Sequence, residues 1–272
     1  MKNKRYKILG GALLAYALFE PYWQQETKYH IAHAQIPQSF DGFKIAFLAD
    51  IHFGHTLKNK GLSKIVKRVN DWKPDLILLG GDYITFKKHI EPCFDELSYL
   101  RAKHGVYAVM GNHDVVEGLE ETEIAMQKAN IKSINNSSLW IKQNGEKIKL
   151  GGVGDLRTQT QDIKKTTFDT KFEDYIILVS HNPRYVYQLK DEDDINLILS
   201  GHTHGAQFSF LKYLSKFVPE FINEKTALAY LTGKEKREGR DIIVSNGVGT
   251  AKLPFRIMTR PESVFITLHS YK

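Results

Sequence analysis

Apolar and polar positions along this chain switch repeatedly between the period of a strand and that of a helix. Residues 29–36 alternate, as a half-buried strand does, and 44–49 form a short apolar run that suits a buried strand better than a helix. Leu62, Ile65, Val66 and Val69 then keep helical spacing until Lys73-Pro74 stops the helix. The exchange continues with a strand at 75–79, a helix at 94–101, a strand at 106–110, a helix at 119–129 and short strands near 131, 139 and 148–153. After a polar loop at 157–165 come a strand at 175–179, a helix at 184–189 and strands at 195–199, 227–231, 242–245 and 264–268. A chain that begins as βαβ units and ends rich in strands predicts an α/β fold with two sheets packed between helices.

The ends of these strands carry the candidate chemistry. Five of them run into Asp50-Ile51-His52, Gly81-Asp82, Gly111-Asn112-His113-Asp114, Ser180-His181-Asn182 and Gly201-His202-Thr203-His204. Ligands of layered α/β proteins bind at the carboxyl ends of strands, so these segments are expected on one rim. Residues two apart in an extended segment share a face, which would let Asp50 and His52 reach one ion and would align His202 with His204. Carboxylate, amide and imidazole donors without a thiolate suit Mn, Fe or Zn. Two such ions, about 3.5–4 Å apart, need a bridging oxygen ligand, and Asp82 is the natural bridge. His30, His33, His55, His89, His104 and His269 fall outside the motifs and read as ordinary surface or core residues.

Composition narrows the partners. At 272 residues, 42% hydrophobic and 25% charged, the chain can bury the core of one catalytic domain, taken as 28–272, behind an N-terminal segment at 1–27. Of the net charge of +7, Lys2, Lys4, Arg5 and Lys7 supply four, and the remaining +3 is too little to predict a nucleic-acid partner. Cys93 is the only cysteine, which excludes an intramolecular disulfide and a thiolate zinc site. The N-terminal cations precede an apolar run at 8–19, shorter than the roughly 20 residues of a spanning helix, and then Pro21-Tyr22-Trp23, which resembles an interfacial belt. Ala32-His33-Ala34 has the small-x-small form of a cleavage site but lies far past the apolar run, inside a predicted strand. The segment is therefore expected to be an uncleaved anchor to the cell membrane, the alternative being a helix packed on the domain. A spanning anchor would place the domain outside the cell, and an interfacial one would leave it in the cytoplasm.

Taken in order, D-x-H, G-D, G-N-H-D, H and G-H-x-H resemble the calcineurin-like metallophosphoesterase family over residues 43–262. Gly247-Val248-Gly249-Thr250 and Arg260-Pro261-Glu262 are similar to its membrane-anchored bacterial branch, which includes UDP-2,3-diacylglucosamine pyrophosphatases and cell-wall-associated phosphodiesterases. The resemblance implies a four-layer α/β/β/α sandwich of two mixed sheets with a dinuclear centre, manganese foremost. Asp50, His52, Asp82 and His204 would hold one ion, and Asp82, Asn112, His181 and His202 the other. Hydrolysis by a metal-activated hydroxide is then expected, with His113 protonating the leaving oxygen and Asp114 orienting His113. A phosphodiester or pyrophosphate in a lipid- or envelope-linked substrate such as UDP-2,3-diacylglucosamine is the first expectation. A general or cyclic-nucleotide phosphodiesterase is the alternative, and a non-catalytic scaffold is a third reading. Ala206 stands where that branch often has glycine, a change expected to leave the ligands intact. Leu211, Leu214, Phe217 and Val218, interleaved with Lys212 and Lys216, predict an amphipathic helix that leans on a bilayer or caps the sandwich. Arg157 is a candidate for holding a second phosphate, while 191–194 and 234–241 read as surface.

Overall fold

The computed structural model describes residues 2–207, 230–251 and 253–271. Its elements run α1 (Lys2–Phe19), β1 (Gln25–His33), β2 (Lys44–Leu48), α2 (Asn59–Asp71), β3 (Leu76–Leu79), α3 (Ile90–Leu97), β4 (Val106–Ala108), α4 (Asn112–Lys128), β5 (Lys132–Ser133) and β6 (Ser137–Gln143). There follow β7 (Glu146–Gly152), α5 (Lys164–Thr167), β8 (Ile176–Val179), β9 (Leu197–Ser200), β10 (Gly233–Arg237), β11 (Arg240–Val244) and β12 (Glu262–Ser270). They build two six-stranded mixed sheets, ordered β1-β12-β2-β3-β4-β5 and β10-β11-β9-β8-β7-β6. β2, β3, β4 and β5 run parallel in the first sheet, as do β7, β8, β9 and β11 in the second. Parallel neighbours leave all their carboxyl ends on one rim.

The short strands read as unbroken apolar runs because both of their faces are covered. Ile45, Phe47, Leu76 and Leu78 meet Leu150, Ile177, Leu197 and Ile243 between the sheets. Ala46, Leu48, Ile77 and Leu79 point the other way, against α2, α3 and α4. The stripe Leu62, Ile65, Val66 and Val69 is the buried face of α2, and burial of such side chains contributes about 1.5–3 kcal/mol apiece. The second sheet is covered outside by Tyr185, Val186 and Leu189.

Several predicted elements shift. The helix expected at 184–189 is a 3-10 turn, Pro183–Gln188, opened by the Asn182 side chain accepting from Arg184 N. The helix expected at 119–129 starts at Asn112 and breaks at Gly118, so Asn112 to Asp114 occupy a first helical turn rather than a loop. In the acidic run 191–194, Asp193 is buried and accepts from Lys190 N, and in 234–241 Arg240 and Asp241 are buried too, so neither stretch is wholly surface. The predicted helix at 211–218, and most of the strand at 227–231, lie outside the described residues.

Among the described residues, α1 docks by its base. Tyr6, Leu9, Leu13, Leu14, Leu18 and Phe19 are exposed, whereas Ala17 and Glu20 are buried. The Ala17 carbonyl accepts from Arg256 N at 3.0 Å, and Glu20 Oε2 accepts from Met258 N at 2.7 Å. The Arg260-Pro261-Glu262 stretch fastens the following residues. Arg260 donates to the carbonyls of Trp23 and Gln24 and lies 4.2 Å over the Trp23 ring, while Glu262 accepts from the Thr27 hydroxyl. β1 begins at Gln25, so the first sheet takes up the chain before residue 28. Among the described residues no helix is long and apolar enough to cross a membrane.

Candidate metal centre

The turns after β2, β3, β4, β8 and β9 carry Asp50 with His52, Asp82, Asn112 with His113, His181, and His202 with His204. These side chains converge as expected, but not through the alternation of an extended segment. Asp50, His52, Asp82, His202 and His204 have φ of 52°, 43°, 56°, 70° and 52°. That left-handed region costs a non-glycine residue roughly 1–2 kcal/mol, and here it curls each turn back over the strand ends. Glycines make the room. A Cβ on Gly111 would stand 2.2 Å from Asp82 Oδ1, and one on Gly201 2.2 Å from Asp50 Oδ2. Ala206, at φ 57°, is left-handed as well, so the alanine in place of glycine carries backbone strain.

Two donor groups share Asp82 as their neighbour. In the first, His204 Nε2 is 3.1 Å from His52 Nε2 and 3.3 Å from Asp50 Oδ1. In the second, His181 Nε2 is 3.1 Å from His202 Nδ1 and 3.4 Å from Asp82 Oδ2. His52 Nε2 is 3.6 Å from the same Asp82 oxygen. Within Asp50/His52/His204, His52/Asp82/His113 and Asp82/His181/His202, the donor atoms all lie within 4.8 Å of one another. Separations of this size suit donors placed around one cation at about 2.0–2.2 Å each.

Two further observations fit a cation. Asn112 Oδ1 is buried without a hydrogen-bond partner, at a cost of about 1–3 kcal/mol that coordination would remove. His181 Nδ1 lies 2.8 Å from the Gly80 carbonyl, which can only accept, so Nδ1 carries a proton and Nε2 is the ring nitrogen turned to the cluster, free to coordinate once a cation displaces its proton.

The electrostatics are those of acids and bases buried together. Burial pushes His52 and His202 down to about 3 and about 4, and His204 well below its ordinary range, keeping three imidazoles neutral. Burial acts against charge on His181 and Asp82 too, but each favours the other's ionised form. His181 is held up at about 10, and Asp82 well below the carboxylate range. Burial raises Asp50 to about 7, and burial with the Asp82 charge raises Asp114 to about 7.

His113 joins the cluster from the first turn of α4. Its backbone N–H donates to Asp82 Oδ1 at 2.8 Å, and its ring meets that of His52 edge-on, with centroids 4.9 Å apart. Asp114 is not placed to orient it. Asp114 Oδ2 accepts from Asp82 N at 2.7 Å and Gly111 N at 2.9 Å, and Oδ1 accepts from Tyr83 N at 2.8 Å. Both oxygens are engaged by backbone, so this carboxylate positions Asp82. Arg157 is exposed, and its charge reaches His202.

Two residues belong to this site without having been read from the sequence. Arg256 is fully buried; it donates to the carbonyls of Thr259 (2.9 Å), Asn246 (2.7 Å), Gly249 and His204 (3.5 Å), and its Nη2 lies 3.4 Å from His204 Nδ1. Burial lowers it to about 10, which still leaves it charged. Asp155, also fully buried, follows β7 and accepts from Arg157 N, Thr158 N and the Thr158 hydroxyl. The strand-end rule applies to Asp155 as it does to the candidate ligands.

Two mixed sheets flanked by helices, with carboxylates and imidazoles gathered where the parallel strands end, define a metal-dependent phosphoesterase. Residues 43–206 match the family described as calcineurin-like phosphoesterase. The chain is 30% identical over 275 residues to the uncharacterized metallophosphoesterase YkuE of Bacillus subtilis, covering 97% of this chain and 94% of YkuE. It is also 30% identical over 266 residues to an uncharacterized metallophosphoesterase of Aquifex aeolicus, covering 93% and 95%. The crystal structure of the 5'-nucleotidase precursor from Thermus thermophilus shares the fold, with TM-score 0.50 and 14% identity over 76% of this chain and 49% of that one. This chain belongs to the calcineurin-like phosphoesterase family and is a hydrolase of phosphoester bonds.

Proposed function

We propose that the protein holds two divalent cations, manganese foremost, and cleaves a phosphodiester or pyrophosphate in a lipid- or envelope-linked substrate at the cell membrane, to which α1 attaches it. Asp50, His52, Asp82 and His204 would hold one cation, and Asp82, Asn112, His181 and His202 the other. Bound cations supply charge neutralisation at the phosphoryl oxygens and an acidified water. The chain's own residues do the rest. Asp114 fixes the Asp82 turn, the Gly80 carbonyl orients His181, and His113, at the edge of the cluster, delivers a proton to the leaving oxygen.

The lipid-linked substrate rests on one observation. Arg256 receives the base of α1 through its backbone N–H and touches the ligand His204 through its guanidinium. The exposed apolar helix thus leaves the domain one side chain away from the metal ligands, where an acylated substrate would enter from the bilayer.

The test is a panel with Mn²⁺-loaded protein: an aryl phosphodiester, a cyclic nucleotide, and UDP-2,3-diacylglucosamine in mixed micelles. The highest kcat/KM is expected on the lipid-linked pyrophosphate. Preference for the cyclic nucleotide would replace the proposal with its alternative, and no turnover of any substrate by metal-loaded protein would refute hydrolysis. Deleting residues 2–16 keeps Ala17 and Glu20 in place and should release the protein from membranes; continued sedimentation with membranes would show that α1 is not the anchor.

A further inference from the structure

A second site lies where α1 meets the domain. A cavity of about 640 Å³ opens between Pro21-Tyr22-Trp23 and the start of α2, over a floor that includes Leu57 and Ile65. Lys58, Lys64 and Arg68 line it, and among its described lining residues there is no carboxylate. Arg68 is partly neutralised by Glu26 at 3.4 Å, whereas among the described residues Lys58 and Lys64 have no ion-pair partner. Two free cations over an apolar floor match a ligand with an anionic head and a greasy body.

The aromatic wall is fixed in place. Trp23 is stacked by Arg260 at 4.2 Å, its carbonyl accepts from the same guanidinium, and Phe19 lies 6.3 Å from its ring. Tyr22 and Trp23 are nonetheless exposed, at 64% and 47%, in continuity with Leu18 and Phe19 of α1. Tyrosine and tryptophan favour the headgroup level of a bilayer, so this wall would sit where lipid phosphates are.

We infer that the cavity between Tyr22-Trp23 and Lys58-Lys64 seats the phosphate of an anionic phospholipid headgroup, and so sets how the domain lies on the membrane. This rests on α1 entering a bilayer, and the experiment separates the two ideas. Full-length protein is sedimented with phosphatidylcholine vesicles with and without phosphatidylglycerol, and is titrated with short-chain phosphatidylglycerol below its micelle concentration, followed by tryptophan fluorescence.

Wild type should bind anionic vesicles more tightly, and Lys58→Glu with Lys64→Glu should reduce that binding by at least about thirtyfold, the usual contribution of two basic residues at an anionic surface before the added repulsion of the glutamates. Lys67→Glu, on α2 but outside this cavity and paired with Asp71, should leave binding within about twofold. Turnover of a soluble aryl phosphodiester should be unchanged in all three proteins. Trp23→Phe should remove the fluorescence response to the short-chain lipid.

An equal loss in Lys67→Glu would mean diffuse surface charge and would overturn the site. So would equal binding of neutral and anionic vesicles, or an identical fluorescence response to inorganic phosphate. Absence of vesicle binding combined with a retained, lysine-dependent response to the short-chain lipid would instead refute the anchor and uphold the cavity.

Discussion

Replacing Asp114 by Asn distinguishes a carboxylate that positions Asp82 from one that orients His113. Its two oxygens accept three backbone N–H groups in a fully buried setting, two of them on the Asp82 turn. An asparagine can keep its carbonyl oxygen toward Asp82 N and Gly111 N, but its amide then faces Tyr83 N–H, leaving donor against donor. A buried donor left unsatisfied costs about 1–3 kcal/mol, and the two surviving bonds lose their charge assistance. Relief from burying a carboxylate that burial and Asp82 already raise to about 7 offsets part of this. The balance is a destabilisation of about 2–3 kcal/mol, or roughly 4–12 °C in Tm for a domain of this size. The left-handed Asp82 also loses a restraint, so Mn²⁺ affinity should fall with stability. Calorimetric melting and a metal titration read both quantities. If Asp114→Asn melts within a degree of wild type, binds metal normally and loses only turnover, the positioning role is wrong and orientation of His113 is restored.

Four further outcomes follow from the geometry. Asp82→Ala should lower the metal content of both donor groups, because both use that side chain, and full stoichiometry by elemental analysis would contradict the bridge. His113→Ala should keep its metals while kcat on an aryl phosphodiester falls about 10²–10⁴-fold; an unchanged kcat would remove its acid role. Arg256→Met strips the partner from four buried carbonyl oxygens and should cost about 3–5 kcal/mol in urea unfolding, with Arg256→Lys milder; equal unfolding midpoints would refute that hub. Ala206→Gly relieves a left-handed alanine and should raise stability by about 0.5–1 kcal/mol, whereas a loss would mean that the φ of 57° carries no strain.

The strand ends were legible because each candidate ligand follows a short apolar run, and Leu76 to Leu79 or Ile176 to Val179 can be little else than buried strand. The means of convergence was not. A left-handed Asp50, Asp82 or His204 leaves no mark in its own residue type, since only glycine announces that region. Gly81 and Gly201, beside two of the ligands, were the available hint. The start of α4 at Asn112 was hidden because Asn112-His113-Asp114 matched a ligand motif, although Asp114, reaching back to Gly111 N, is an acidic third residue of the kind that opens helices. Arg256 was out of reach altogether: one arginine in a mixed loop reads as surface until five groups are found around its guanidinium.

Arg256 also bears on whether the proposed reaction and the proposed substrate depend on different parts of this chain. Among the described residues its guanidinium holds the His204 turn through contacts within the domain, while its backbone N–H reaches α1. Loss of α1 would remove one backbone hydrogen bond from residue 256 and none from the guanidinium. The cluster around Asp82 therefore stands on its own support, and chemistry on a small soluble ester does not require the helix. On the lipid-linked reading proposed above, α1 and the Tyr22-Trp23 wall would alter where the substrate phosphate arrives, an effect on KM rather than on kcat. On that proposal a strained rim of candidate ligands with an appended apolar helix is one reaction with an adjustable address, carried by residues outside the cluster.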